Sequence, residues 1–396
     1  MGLAIAFEAC RTFILDATAL RAYIYFARSL RVIAGVIAGN KMKLILAFIL
    51  LVATSSIAET RNAEPIKVGA IYGFSGFANV WSAQARRGIE LARDEINQSG
   101  GINGRKLEVI FEDSATTPNG AVTAFNKLVK IDRVDAVVGD IISFITLPLV
   151  PLAQRNKVVL VTPSIFDSDL PPDPDYFFTT CPRKESMAAP VEKFFSLNRD
   201  VKSVAIICAD NTWGRTYLDV WKTVADRHNV VVVDENCISE YSTDMRTEVL
   251  RAKAKRPDVL IVAFGIDRAL KRMQEIHFTP KVLTTSDLDE AIHSRGFPAS
   301  EAEGVYFADW LPTESFSARF QARFNDLPIM APQNSYEALR TLAEAFRKND
   351  PDLQHAIQTL NYSGDTGPVD YRGTRAGNRA NSTLLVVSNG KIRPAG

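Results

Sequence analysis

The chain has 396 residues, 46% of them hydrophobic and 23% charged, and a formal net charge of +1. This is an ordinary globular composition with core enough for two or three domains, and it excludes a disordered or fibrous chain. The first 58 residues hold six basic and two acidic side chains, leaving 40 basic against 43 acidic in the rest, so no basic surface calls for nucleic acid.

The stretch 41–59 reads KMKLILAFILLVATSSIAE. Lys41 and Lys43 precede an apolar run of ten residues, Leu44–Ala53, and Ser56-Ile57-Ala58 follows. A bilayer span needs about 20 apolar residues, so the run fits a secretory signal peptide (42–58) cut before Glu59. No cysteine follows it for lipid attachment, and a soluble exported product is expected. Residues 1–41 are expected to be a non-native extension, with Met42 as initiator; a long basic leader or an N-terminal arm is the alternative. Cys181, Cys208 and Cys237 remain after cleavage. Export permits a disulfide. Cys208 and Cys237, which close predicted neighbouring strands, are the favoured pair, with three free cysteines the alternative.

From Ile66, strands and helices alternate. Strand 66–72 (IKVGAIY) precedes a helix over 82–98, in which Ala85, Ile89, Ala92 and Ile96 recur at helical spacing. The turn GGING (100–104) leads to strand 106–113, a helix from Pro118 to Lys130, strand 134–140, a helix over 143–155 and strand 157–163. After the proline-rich 169–175 (DLPPDPD) the pattern restarts. Helix 185–197, strand 202–210, helix 216–228, strand 229–237, helix 243–254, strand 258–265, helix 267–277 and strands 281–287 and 304–310 follow. Helices near 315–325, 333–348 and 351–360 end the regular part. Near-continuous apolar strands between amphipathic helices predict parallel sheets covered on both faces. Two such series predict an α/β protein of two doubly wound lobes. Ligands bind beyond the carboxyl ends of such strands, which puts a shared site in the cleft between the lobes.

Catalytic patterns are missing from the sequence. The four histidines are dispersed, and there is no H-E-x-x-H, phosphate loop, G-x-G-x-x-G or G-x-S-x-G. This predicts a binding protein with no cofactor or metal, not an enzyme.

Strand ends supply the candidate ligand residues. Ser143, opening a helix after VGDIISF, offers a hydroxyl and free N–H groups to a carboxylate, or is a plain helix cap. Ser164 and the backbone of Ile165, in VTPSIFD, can donate to the same anion, or form a proline-led turn. Trp81 and Trp213 stand in matching loops of the two lobes and can close on a ligand, or pack a core or hinge. Asp287 can hold an ammonium or cap a helix. Tyr336 can line the pocket or simply pack.

These residues and their surroundings resemble the extracytoplasmic binding proteins of branched-chain amino-acid transporters, of the Leu/Ile/Val-binding type. The likeness runs from about Ile66 to Lys391. It is carried by the segment from FSGFANVW to NKLV (74–129) and by VDAVVGDIISF, VVLVTPS, NTWGRTY and EGVYF. It implies a type I periplasmic binding protein: two lobes joined by a three-strand hinge, closing on a small molecule, with an ABC permease and its ATPases as partners and a monomer in the periplasm. Lobe I would span 59–182 and 311–382, and lobe II 183–310 and 383–396. The resemblance places Ser143 and Ser164 at carboxylate-binding positions, Trp81 and Trp213 at usually tyrosine positions, Asp287 at the ammonium-holding acid and Tyr336 at an aromatic near the pocket. Phe166 replaces a common threonine, and Gly265 falls where some members supply a tyrosine. These departures favour a more apolar ligand: a hydrophobic amino acid, or else an aromatic carboxylate. A sensor of the same fold that is not coupled to transport is the other functional alternative.

Overall fold

The computed structural model describes residues 64–166, 175–239 and 242–396. The expected N-terminal extension, signal peptide and cleavage site, and most of the proline-rich segment, lie outside the described residues.

The first lobe is built on five parallel strands in the order β2-β1-β3-β4-β5. They are β1 (Ile66–Tyr72), β2 (Leu107–Asp113), β3 (Ala136–Gly139), β4 (Val159–Thr162) and β5 (Phe177–Thr179). The continuous apolar runs of the sequence hide a period of two. Val68, Ala70 and Tyr72 enter one core, and Ile71 the core on the opposite face; Val138 and Val137 divide the same way. Helices cover both faces, so no strand position can be polar at no cost. One cover is the pair α1 (Asn79–Gln98) and α11 (Met330–Arg347). They meet at Gly88, where a Cβ would stand 2.0 Å from the carbonyl oxygen of Pro332. Helix α2 (Pro118–Lys127), capped by Thr117, covers the other face.

The second lobe carries a seven-stranded sheet in the order β14-β13-β10-β9-β8-β6-β7. Its parallel strands are β6 (Ser203–Ala209), β7 (Val231–Ile238), β8 (Val259–Val262), β9 (Lys281–Thr284) and β10 (Tyr306–Asp309). The chain returns at its end to add β13 (Thr383–Ser388) and β14 (Lys391–Pro394), both antiparallel. The helices of this lobe are α5 (Ala188–Leu197), α6 (Thr212–Arg227), α7 (Arg246–Lys255), α8 (Ile266–Glu275) and α9 (Asp287–His293). Cys208 and Cys237 face each other in register on β6 and β7 and form a disulfide, while Cys181 is buried and takes no part in one.

Three segments connect the lobes, and hydrogen bonds bind them together. The Ser186 hydroxyl accepts from the indole N–H of Trp310 at 3.0 Å, and the Ser186 carbonyl accepts from the Ser382 hydroxyl at 2.5 Å. The chain is therefore two α/β lobes on a three-segment hinge.

Local differences from the sequence reading have simple causes. Helices α1 and α6 begin three and four residues early, at 79 and 212, so Trp81 and Trp213 lie in first helical turns and not in loops. Asn211 caps α6 by accepting from the Gly214 N–H at 2.9 Å. The single helix expected over 143–155 is three pieces: α3 (Ser143–Thr146), a 3-10 turn (Leu147–Leu149) and α4 (Val150–Asn156). Pro148 and Pro151 each remove an N–H and break the ladder. Segment 361–370, expected to be irregular, forms the hairpin β11 (Asn361–Gly364) and β12 (Gly367–Asp370).

Gly88→Ala should destabilise the protein by about 1–3 kcal/mol, although alanine alone would favour the helix by about 1 kcal/mol. Backbone opposes backbone at that contact, so neither side can yield by changing rotamer. Urea denaturation of the variant measures the loss; equal midpoints would mean that α1 and α11 can move apart freely.

Candidate functional site

Each sheet reverses its strand order at one place: between β1 and β3 in the first lobe, and between β6 and β8 in the second. Loops that leave such a point in opposite directions open a crevice at the strands' carboxyl ends. A cavity of about 160 Å³ lies there, walled by both lobes. That is close to the roughly 150 Å³ of a cavity that holds benzene.

Eight of the described lining residues carry aromatic rings. The first lobe contributes Phe77, Trp81 and Phe144, with Phe77 stacked on Phe144 at 6.4 Å and edge-on to Trp81 at 6.4 Å. The second contributes Trp213, Tyr217, Phe264 and Trp310. Phe166 joins the two sides, packing edge-on against Tyr217 at 6.3 Å, and Tyr217 in turn meets Trp213 at 4.6 Å. Phe264 occupies the stretch where Gly265 suggested a missing ring. Gly265 itself has φ +73° and starts α8, a conformation that leaves its neighbour Phe264 on the cavity.

The polar part of the first lobe is organised around Asp140. Its carbonyl accepts from the hydroxyls of Thr146 (3.1 Å), Thr162 (3.1 Å) and Ser164 (2.7 Å). Its carboxylate accepts from the Ser114 hydroxyl at 2.6 Å and the Ile142 N–H at 3.0 Å. Burial nonetheless pushes the Asp140 carboxyl up to about 6, against those hydrogen bonds. This framework fixes the loops that bring Ser143 and Ser164 to the cavity wall. The Ser164 hydroxyl is already spent on Asp140, and α3 is a single turn, so the expected carboxylate cradle is smaller than the sequence suggested.

The second lobe presents Asp287, Asp289, Glu290 and Asp309 to the cavity, and no lysine or arginine is among the described lining residues. Arg295 sits behind them, bonded to Asp267, Asp287 and Glu290 at 3.0–3.1 Å. Burial opposes the charge of Arg295, yet those three carboxylates hold its pKa up.

Of the residues expected from sequence, Trp81, Ser143, Ser164, Phe166, Trp213 and Asp287 line this cavity. Ile165 does not: its side chain is in the first lobe's core and its carbonyl accepts from the Thr179 hydroxyl at 2.7 Å. Tyr336 does not either. It is buried between α1, α10 (Glu314–Phe324) and α11, edge-on to Phe316 at 5.4 Å, with its hydroxyl donating to Glu95 at 2.5 Å. Asp287 reaches the wall, but both of its oxygens have partners inside the lobe: the Ile266 N–H at 2.8 Å and Arg295 at 3.0 Å. The sequence reading missed Phe77, Phe144, Tyr217, Phe264, Asp309 and Trp310. Phe264, Asp309 and Trp310 follow from the strand-end rule, which applies to LIVAFG and YFADW as it does to the segments that were used.

Two facing α/β lobes with an apolar cleft at both reversal points define a small-molecule binding protein of the hinged type. Residues 65–391 match the model of the periplasmic binding protein family, and the chain belongs to that family. A curated relative, the Leu/Ile/Val-binding protein BraC3 of Rhizobium johnstonii, is 30% identical over 216 residues, which are 54% of this chain and 58% of that protein, so the match spans little more than half of the relative's length. In fold, the chain is similar to LivJ of Streptococcus pneumoniae, solved with isoleucine (TM-score 0.72, 20% identity, covering 83% of this chain and 98% of that one). It is equally similar to a solute-binding protein of R. palustris solved with benzoate (TM-score 0.73, 16% identity, covering 84% and 96%).

Asp140 makes a signed prediction. Its folded pKa of about 6 is above the ordinary 3.8, so the folded state binds the extra proton between these values. Stability should therefore fall as pH rises from about 4 to about 6, by about 2–3 kcal/mol from this group. Asp140→Asn should remove that part of the slope, read as the difference between the two proteins in denaturant titrations at each pH.

Proposed function

We propose that the chain is the solute-binding component of an ABC importer, capturing a small hydrophobic amino acid between its lobes and delivering it to the permease. The observation that carries this reading is the aromatic cavity at the two strand-order reversals, walled by both lobes and sized for one apolar side chain or ring. The name of the curated relative, a Leu/Ile/Val-binding protein, supports the ligand class.

Ligand meets the first lobe at Trp81, Ser143 and Ser164, and rotation about the three hinge segments brings Trp213, Tyr217 and Phe264 over it. Closing removes water from both aromatic walls, which drives the motion and strengthens polar contacts inside. The closed outer surface is what a permease and its ATPases recognise. The protein works in the periplasm as a monomer after cleavage near Ala58, and the Cys208–Cys237 disulfide suits that oxidising compartment. It binds and releases its ligand unchanged.

An aromatic carboxylate is the second reading. Phe166, in place of a hydroxyl side chain, and the number of rings favour it, and the neighbour solved with benzoate supports it. A sensor that reports ligand without transport would use the same cleft; adjacent permease and ATPase genes would count against it.

A thermal-shift screen of amino acids and aromatic acids separates the ligand readings. A ligand at 100 times its Kd should stabilise the protein by about 2.7 kcal/mol. Three of the four tryptophans, Trp81, Trp213 and Trp310, line the cavity, so the true ligand should also change intrinsic fluorescence. A stabilising ligand that leaves fluorescence unaltered would bind elsewhere and sink the cleft assignment.

A further inference from the structure

The four acids on the cavity wall are not equivalent. Asp287 is bonded to Arg295 and to the Ile266 N–H. Glu290 accepts from Arg295 at 3.0 Å. Asp289 lies 3.0 Å from Nδ1 of His293, and this hydrogen bond holds the His293 pKa up. Asp309 is different. It ends β10, it is 1% exposed, and its Oδ1 finds no hydrogen-bond partner among the described residues. A buried carboxylate oxygen with no donor is costly, and a native structure that keeps one usually has a use for it. Both nearby cations are engaged by the other acids, and the Trp310 N–H that the carboxyl does receive leaves Oδ1 without a partner among the described residues, so Oδ1 is left for a donor from outside the protein.

We propose that Asp309, and not Asp287, receives a protonated amine of the ligand, so that the cavity selects an ammonium group carried on an apolar or aromatic body. This rests on reading the cleft as a solute site. The rest of the wall fits such a body, since Trp81, Phe144, Phe166, Trp213, Tyr217 and Phe264 surround it with rings that tolerate an adjacent cation. A hydrophobic α-amino acid and a simple hydrophobic amine share this chemistry. The indole N–H of Trp81 is also buried with no partner among the described residues, and it is a donor that a ligand carboxylate can use, which favours the amino acid.

The surroundings of Asp309 add a proton to the equilibrium. Burial, and then the charge of Asp289, push its carboxyl well up, while the Trp310 N–H and His293 act the other way. Tyr217 is the further titratable group facing it, and burial keeps that phenol neutral. An arriving ammonium favours the ionised carboxylate. Amine binding should therefore expel the Asp309 proton to solvent, and affinity should rise with pH until Asp309 is ionised in the free protein.

The test is calorimetry on the purified protein with six probes: leucine, 4-methylpentanoate and isoamylamine, and phenylalanine, 3-phenylpropionate and phenethylamine. Loss of the amine should weaken binding at least tenfold on one or both skeletons. In Asp309→Asn, the amino acid and its deamino analogue should bind within about twofold of each other, and the pH dependence should vanish, although His293 still titrates. The amide replaces a carboxyl that is already neutral in the free protein, so the variant should melt no lower than the wild type. If it does not fold, titrations of the wild type in two buffers of different ionisation enthalpy decide: proton release with the amine ligands and none with the deamino acids supports Asp309, and equal proton exchange overturns it. Tighter binding of the amine than of the amino acid keeps Asp309 and makes the ligand an amine. Tight binding of the deamino acids, or an Asp309→Asn variant that binds amino acids normally, overturns Asp309 and leaves the solute-binding reading standing. No binding by any of the six overturns Asp309, and the thermal-shift screen then judges the solute-binding reading alone.

Discussion

Both faces of every central strand are buried, and the rest of the structure depends on this constraint. In β1 the side chains of Val68 and Ile71 enter separate cores, and in β6 those of Ile206 and Ile207 do the same. A polar group for binding cannot be placed on either face without a desolvation cost. Chemistry is free to vary only where the strands end, and only at the order reversals do the departing loops part to leave room. Each lobe alone would expose its rings there: Phe77, Trp81 and Phe144 on one side, Trp213 and Phe264 on the other. Instead they line one cavity from both sides, and Phe166 packs on Tyr217 between them. Phe77 remains 40% exposed.

The polar groups near the cavity follow a different rule. Most of them are satisfied within their own lobe. The Asp140 carbonyl gathers three hydroxyls and so fixes the loops after β3 and β4. Arg295 gathers three carboxylates and so fixes the start of α9. Such networks are rigid because breaking any one bond strands a buried partner. They position the walls but have little left to offer a ligand. Selectivity then falls to the few atoms the networks leave out, and to the shape of the rings.

This division explains what was legible in the sequence. The two lobes could be read because strand and helix alternate with short connections, and that pattern needs no knowledge of tertiary partners. The cleft was legible from the strand-end rule, which points to Trp81, Ser143, Ser164 and Trp213 without reference to their contacts. What the sequence did not show at the site was which side chains a distant partner takes. Tyr336 begins an amphipathic stretch and is buried, but only the fold shows that Glu95, on a helix 241 residues earlier in sequence, takes its hydroxyl. Asp287 looked available because nothing in its local sequence shows that Arg295 turns back onto it. The break in helix 143–155 is a different kind of miss: Pro148 and Pro151 are local signals, and the apolar periodicity around them concealed their effect.

The same division bears on how far a family resemblance reaches. A core accepts any apolar residue of suitable size, so the fold persists while identity falls. The satisfied networks resist single changes, because changing one member strands the others. The lining is bound by neither condition. Phe166 can stand in place of a hydroxyl side chain because its ring finds Tyr217 to pack on. Asp287 can keep the identity of a ligand-binding acid and yet serve the protein, because a single arginine eight residues later converts it into structure. Correspondence of residue type is therefore weaker evidence for a contact than the count of hydrogen bonds a side chain still has unspent, and that count is a property of the folded chain alone.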